Sequence, residues 1–246
     1  MNRFLVALGI GIVIFGSVFA FKQGKIDRMF LSRANALYRD AKYDDALKAY
    51  EELETSILPY QSPELFYNKG NCFFRMGEYP RALLFYLKAR KLAPRDKEIE
   101  NNIRITQMQL GIKPLAKGVV YNFLSYMRME EWAILLTLFI WFLIFFALGK
   151  DIPHNVKVSF IALFSVLSIC AFTGVLLYID IVGVNRRLCI EDAHIYSGPS
   201  DKETDLGEMK AGTLLKELKS QGQWTKVYIE NKKETGWIEM GKTEKI

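Results

Sequence analysis

Apolar residues are concentrated in three long runs that contain no charged side chain: residues 4–21, 132–148 and 158–179. Each run is long enough to cross a hydrocarbon core of about 30 Å as an α-helix. A buried helix of a soluble protein is the alternative for such a composition. The length of the second and third runs favours a transmembrane hairpin, which we predict as helices 132–149 and 158–181.

The first apolar run has the form of an export signal. Arg3 precedes it, and Val18 and Ala20 place small residues at the −3 and −1 positions of a cleavage site before Phe21. Residues 1–21 are therefore predicted to be a signal peptide or an uncleaved N-terminal anchor. Both alternatives place the residues that follow on the far side of the membrane.

A different pattern, over residues 63–96, has the helical period of about 3.6 residues with small or aromatic side chains at fixed points. Its members are Phe66, Gly70, Phe73, Gly77, Tyr79, Ala82, Tyr86, Ala89 and Pro94. The pattern predicts two helices that approach closely at Gly70 and Ala82, with a turn at 77–80 between them. It resembles a tetratricopeptide (TPR) repeat.

A second copy of this pattern lies 36 residues upstream, with Ala41 in place of the turn glycine. We predict a TPR array over residues 27–112, with repeats at 27–60 and 63–96 and a capping helix at 97–110. An unrelated helical bundle is the alternative.

The resemblance implies a groove that binds an extended protein or peptide segment along the first helix of each repeat. The side chains predicted to face the groove are Asn35, Tyr38, Arg39, Tyr67, Asn71, Arg75 and Asn101. Asn35 and Asn71 occupy one repeat position, where peptide-clamping TPR domains use asparagine to hold the ligand backbone. An amide both donates and accepts hydrogen bonds, and arginine binds carboxylates. The alternative is a solvated groove without a ligand.

The segment before the hairpin, residues 113–131, is semi-apolar and aromatic, which suits a membrane interface. Because two crossings follow it, the array and the C-terminal domain share one side of the bilayer. The flanking basic residues mildly favour the cytoplasmic side, whereas the export-like N-terminus favours the opposite side. We predict a multi-pass protein of the bacterial inner membrane, with both domains on the periplasmic, extracytoplasmic side.

Residues 187–246 change to short alternating strands separated by turn residues. The predicted strands include residues 188–196, 214–218, 224–229 and 235–238. The order of the motifs HIYSGP, GQWTKV and GWI resembles a bacterial SH3-like (SH3b) β-barrel. Its predicted ligand surface comprises Tyr196, Trp224, Tyr228 and Trp237. The alternative is that the tryptophans pack within the small barrel.

The composition argues against several functions. The 246 residues carry 33 Lys+Arg and 27 Asp+Glu, a net charge of +6, and the two signs are interleaved. Such a pattern does not predict a nucleic-acid partner. The chain lacks a Gly-rich phosphate loop and the HExxH and GxSxG motifs, and the hairpin separates its two histidines, His154 and His194. We predict no catalytic residues, no metal site and no cofactor, and therefore not an enzyme.

The order of these segments defines a multidomain fold class: an α-helical TPR array, a membrane hairpin and a β domain. It resembles the TPR/SH3b membrane proteins of the bacterial aerotolerance (Bat) operon, the BatE-like family. The most specific elements are the TPR signature, Glu131-Trp132 at the start of the hairpin, and the closing strand motifs.

That resemblance implies a membrane-anchored scaffold in a bacterial envelope complex that supports stress and oxygen tolerance. The implied partners are membrane proteins with von Willebrand factor A domains, together with the lipid bilayer. A cell-wall sensor that binds peptidoglycan through the SH3b domain is the alternative function.

Overall fold

The computed structural model describes residues 31–55, 61–112, 124, 126, 129–148, 153–179, 185–229 and 232–246. The predicted signal or anchor at 1–21 and most of the segment at 113–131 lie outside the described residues. The helices are α1 (described over residues 31–39), α2 (Tyr43–Glu54), α3 (Pro63–Arg75), α4 (Tyr79–Leu92), α5 (Lys97–Gln109), α6 (Met129–Leu148) and α7 (His154–Tyr178).

The helix pair α3–α4 forms as the sequence pattern predicts. The Ser62 hydroxyl accepts a hydrogen bond from the Leu65 amide at 3.0 Å and caps α3, and Pro63 begins the helix. A Cβ atom at Gly70 would lie 2.7 Å from the Tyr86 ring, and Ala82 is fully buried. A larger side chain at Gly70 would therefore collide with Tyr86 of α4, as expected where two helices approach closely.

The turns within the two helix pairs have the same backbone conformation although their residues differ. Gly77 adopts a φ of 82°, in the left-handed region that glycine tolerates, and Ala41 adopts a φ of 59° at the equivalent position. The first turn therefore carries backbone strain that the second turn avoids.

The two apolar helices α6 and α7 pack against each other as a hairpin. The Phe142 and Phe164 rings stack with their centres 4.7 Å apart. The Trp132 ring packs so closely on Gly174 that a Cβ atom there would lie 2.7 Å from it. Helix α7 is long and apolar enough to cross a membrane, with a mean hydropathy of 2.5. Helix α6 contains a shorter apolar stretch, Glu131–Phe145.

The C-terminal domain is a seven-stranded antiparallel sheet in the order β3-β2-β6-β5-β4-β1-β7. Its strands are β1 (Arg186–Cys189), β2 (Ala193–Tyr196), β3 (Asp205–Met209), β4 (Leu214–Gln221), β5 (Trp224–Ile229), β6 (Glu234–Glu239) and β7 (Thr243–Lys245). The antiparallel sheet is confirmed, but the predicted closure into a barrel is not, since β3 and β7 are edges in the described residues. The strand predicted at 188–196 is two strands, separated at residues 190–192.

The sheet packs directly on the helical array. Leu188 on β1 is fully buried and belongs to the same apolar core as the helices, and Ile190, Leu214 and Ile246 pack against that core. The Lys91 ammonium of α4 donates to the main-chain oxygen of Ile246 at 2.6 Å. The second helix of the second pair therefore contacts the sheet, and Leu110 at the end of α5 also lies against it, 2.8 Å from where a Cβ atom of Gly212 would be.

Candidate functional site

The first candidate site is the surface formed by α1, α3 and α5, the first helices of the pairs and the capping helix; we call it the A face. Two similar hydrogen-bonded clusters join neighbouring helices along it. In one, the amide oxygen of Asn35 accepts from the Tyr50 hydroxyl at 2.5 Å and from the Asn68 amide at 3.0 Å. In the other, the amide oxygen of Asn71 accepts from Tyr86 at 2.7 Å and from Asn102 at 3.4 Å.

These contacts show that Asn35 and Asn71, which the sequence predicts to face a ligand, also join the helices of the array. Each amide oxygen accepts two hydrogen bonds from other helices, because the buried tyrosine hydroxyl of the second helix needs an acceptor. Each amide nitrogen carries two donor hydrogens, and the Asn71 side chain also hydrogen-bonds with the Tyr67 hydroxyl.

Tyr67 connects α3 to the capping helix. Its hydroxyl donates to Glu98 at 2.6 Å and accepts from the Asn102 amide at 3.0 Å. Burial and the bond to Glu98 raise the pKa of Tyr67 to about 12. Burial likewise raises the pKa values of Tyr50 and Tyr86, so all three phenols stay neutral at physiological pH.

The arginines predicted for the groove lie near the C-terminal ends of their helices. Arg75 is exposed and its guanidinium approaches the Tyr38 hydroxyl at 3.5 Å. Arg39 is exposed, and no ion pair to it is found in the part of the chain that the structure describes. Asn101 accepts a hydrogen bond from Arg104 at 2.9 Å. The neighbouring Asn102, instead of the predicted Asn101, belongs to the cluster around Asn71.

The sequence interpretation missed Asn68 and Asn102, which supply the second donor to each cluster. A signal for them was present: they lie 34 residues apart, which is the usual TPR period of about 34. Asn35 and Asn71 lie 36 residues apart because the connection between the two helix pairs is longer. The donor and the acceptor therefore follow different repeat spacings.

The second candidate site is a cleft of about 450 Å³ on the sheet. Tyr196 and Trp224 line it and meet edge to face, with ring centres 5.5 Å apart. Trp237 is the cross-strand partner of both Tyr196 and Lys226 and shares their face of the sheet, but it is only 8 % exposed and does not line the cleft. Tyr228 shares the outward face of β5 with Trp224 but does not line the cleft. Two of the four aromatic residues predicted for this surface thus come together.

The paired helices and their polar A face have the architecture of a helical-repeat array. Residues 63–96 match the family model of the tetratricopeptide repeat. Repeats of this family generally mediate protein–protein interactions. Comparison of the chain with curated proteins finds no match.

In the described residues, no group of three or more histidine, cysteine, aspartate or glutamate side chains is arranged to hold a metal ion. Cys72 and Cys189 are buried and separate, and burial raises the pKa of each thiol to about 12. Such thiols are poor nucleophiles and poor metal ligands at neutral pH.

Proposed function

We propose that this protein is a membrane-anchored interaction scaffold whose A face binds an extended segment of a partner protein. The observation that carries the proposal is the division of the array's two sides. The side formed by α4 is covered by the chain's own sheet, through Leu188 and the bond from Lys91 to Ile246. The A face keeps exposed arginines and amide donors that a bound segment can use.

The chemistry of the A face favours an acidic partner segment. Arg39 and Arg75 are exposed cations at matched repeat positions, and guanidinium groups bind carboxylates through paired hydrogen bonds. The amide nitrogens of Asn35 and Asn71 supply donors for backbone carbonyl groups of an extended chain. The proposed site comprises Asn35, Tyr38, Arg39, Tyr67, Asn71 and Arg75, with Asn102 added.

The test replaces the arginines, because the asparagines also hold buried tyrosines. Arg39→Glu with Arg75→Glu should abolish photo-crosslinking from an A-face position to the partner in intact cells. The matched control is Lys42→Glu with Lys48→Glu, which makes the same charge change at exposed residues outside the helices of the A face. Equal crosslinking by the two double variants, with helicity retained in circular dichroism, would falsify the assignment of the A face.

Membrane anchoring by α6 and α7 is part of the proposal. Many apolar side chains of the hairpin point outward, including Trp141 and Phe145, each 64 % exposed, and Ile169, 65 % exposed. A water-facing surface of that kind is rare in soluble proteins, whereas lipid covers it without cost. By its resemblance to the Bat proteins, we place the scaffold in a bacterial envelope complex with von Willebrand factor A-domain proteins, in support of oxygen tolerance.

The location of the soluble parts is tested by cysteine labelling in spheroplasts. Cys72 and Cys189 are buried and should not react with the reagent, and Cys170→Ala removes the exposed thiol of α7. In that background, Gln61→Cys and Lys202→Cys introduce thiols at exposed sites. Reaction of both with a membrane-impermeant maleimide before lysis supports the extracytoplasmic side, and reaction only after lysis contradicts it.

A second candidate function is a cell-wall sensor that binds peptidoglycan through the sheet. The cleft walled by the half-buried Tyr196 and Trp224 favours it, because aromatic rings that line a cleft supply contact area for a polar ligand. Co-sedimentation of the detergent-solubilised protein with peptidoglycan tests it. Retention by the unaltered protein and loss by Trp224→Ala support the sensor, and equal retention by both contradicts it.

A further inference from the structure

The cleft on the sheet has two aromatic walls at a right angle. Tyr196 comes from β2 and Trp224 from the start of β5, and their planes meet at 90°. The turn before β5 is fixed by a hydrogen bond from the Met240 amide to the Gln223 carbonyl at 2.8 Å. The walls therefore come from two separate parts of the sheet, and the backbone holds Trp224 in place.

Carboxylates surround these rings. Asp192, Asp201 and Glu239 line the cleft, and Glu239 is the direct cross-strand partner of Trp224. Cross-strand partners carry their side chains on the same face of a sheet, about 5 Å apart. The carboxylate of Glu239 and the indole of Trp224 are thus neighbours.

The two basic groups that line the cleft already have acidic partners. The Lys242 ammonium pairs with Glu191 at 2.5 Å, which raises the pKa of Lys242 and lowers the pKa of Glu191. The His194 imidazole lies 2.7 Å from Asp205. The charged side chains that line the cleft are thus three carboxylates and one ammonium, a net negative charge, in a chain whose net charge is +6.

We propose that this cleft binds an alkylammonium group, such as the protonated side chain of a lysine in a peptide. The faces of aromatic rings attract cations, and indole does so most strongly. Carboxylates beside the rings add direct Coulomb attraction, while the net negative charge disfavours anionic ligands. The proposal rests on the sheet cleft being a binding site, as in the second candidate function, and is independent of the A face.

The site has the character of a weak, salt-sensitive receptor. Asp192, Asp201 and Glu239 are exposed, so mobile ions screen their attraction for a cation. The aromatic contact depends less on salt, because it also buries the methylene groups of the ligand's side chain. Raising the salt concentration should therefore weaken binding without abolishing it.

The experiment titrates the full chain in detergent micelles with the blocked tripeptide acetyl-Gly-Lys-Gly-amide, followed by calorimetry. The same peptide with an acetylated lysine side chain has the same stem without the charge. We expect saturable binding of the lysine peptide, at least about tenfold tighter than that of the acetylated peptide. Equal affinity for the two peptides, or no saturable binding to folded protein, would overturn the proposal.

Variants assign the site. Trp224→Ala should weaken binding by about tenfold and Glu239→Gln by about fivefold. Glu234→Gln is the matched control, because Glu234 is exposed on the same strand and does not line the cleft. If Trp224→Ala fails to fold, Trp224→Phe keeps an aromatic ring and should weaken binding less than threefold. An effect of Glu234→Gln equal to that of Glu239→Gln would reduce the result to unspecific charge attraction.

The two proposals for the cleft can fail separately. Glu239→Gln tests the ammonium assignment in both the tripeptide titration and the peptidoglycan assay. Loss of tripeptide binding with peptidoglycan retention unchanged would leave the cell-wall sensor standing and contradict an ammonium group as the determinant of that interaction. Loss of both would support the assignment.

Discussion

Arg95 and Glu131 form a bidentate ion pair that joins the helical array to the first residues of the apolar hairpin. The two guanidinium nitrogens donate to the two carboxylate oxygens at 3.2 and 2.7 Å. The same guanidinium lies 4.8 Å from the centre of the Tyr126 ring. A connection of this kind restricts how far the array can turn relative to the hairpin.

Breaking this pair should loosen the array on the hairpin. The side chains are 48 % and 23 % exposed, so the pair contributes about 1 kcal/mol or less. We expect Glu131→Gln to speed hydrogen exchange at residues 92–96 and 129–133 by less than about fivefold, and the swap Arg95→Glu with Glu131→Arg to restore most of the protection. Unchanged exchange in Glu131→Gln would show that the pair does not hold the two parts together.

Replacing Ala41 by glycine should stabilise the array. Ala41 has a φ of 59°, and an L side chain in the left-handed region costs about 1–2 kcal/mol. The greater backbone freedom of glycine in the unfolded chain offsets part of that gain. We expect the free energy of unfolding in urea to rise by about 1 kcal/mol.

Gly77→Ala is the reciprocal control for that prediction. Nothing lies within 4 Å of a Cβ atom at Gly77, so its replacement tests the backbone alone. It should lower the free energy of unfolding by about 1 kcal/mol. Destabilisation by both substitutions would contradict the strain at Ala41.

The contributions of Tyr86 and Asn71 to the free energy of unfolding should be coupled through their hydrogen bond. Asn71→Ala leaves a buried hydroxyl without its acceptor, which costs about 1–3 kcal/mol, whereas Tyr86→Phe should cost about 1 kcal/mol. The double variant should be less destabilised than the sum of the single variants. Chemical denaturation of the four proteins gives the coupling energy, and additive effects would show that the bond contributes nothing measurable.

Alkaline pH should weaken the array through Tyr67. Its pKa is about 12 in the folded protein and near the ordinary value of 10.0 after unfolding. Below that ordinary value both states keep the proton; between the two values only the folded state keeps it. The free energy of unfolding must therefore fall as the pH rises from about 10 to about 12. Urea midpoints at pH 9 and pH 11 measure the loss, and a loss that Tyr67→Phe leaves undiminished would contradict this role.

The contact between the sheet and the array should depend on Leu188. This side chain is fully buried in the core of the helical array, at 0 % exposure. Leu188→Ala should therefore lower the free energy of unfolding by about 2–5 kcal/mol. Leu218 is the matched control, since it is 49 % exposed on β4, and its replacement by alanine should cost less than about 1 kcal/mol. Similar melting temperatures for the two variants would contradict the docked arrangement.

The local patterns of the sequence predicted the elements whose cause is local. Helices α3 and α4 follow from Pro63, Gly70 and Gly77, and β5 matches its predicted range because its apolar and polar residues alternate. Strand β3 was missed, since Asp205–Met209 is mostly exposed and polar and contains a glycine with a φ of 114°. An edge strand of that composition resembles a loop.

Contacts between distant segments were harder to predict. The hydrogen bond from Asn68 to Asn35 depends on how one helix pair stacks on the next, which the period within a helix does not specify. The docking of Leu188 was also missed, because a buried strand residue does not reveal which surface covers it. The sequence pattern included Asn35, Asn71 and the tyrosines at positions 50 and 86, but it did not predict the hydrogen bonds that join them.

The order of strands in the sheet implies that its parts open with different ease. The β2–β3 hairpin joins the remaining strands through one cross-strand pair, Tyr196 with Trp237, whereas β5 and β6 share six. Amide protons of the hairpin should therefore be released to solvent before those of the central strands. Since Tyr196 belongs to the hairpin and Trp224 to β5, each such opening separates the two walls of the cleft. A ligand bound between the walls would therefore slow hydrogen exchange at the amides of the hairpin.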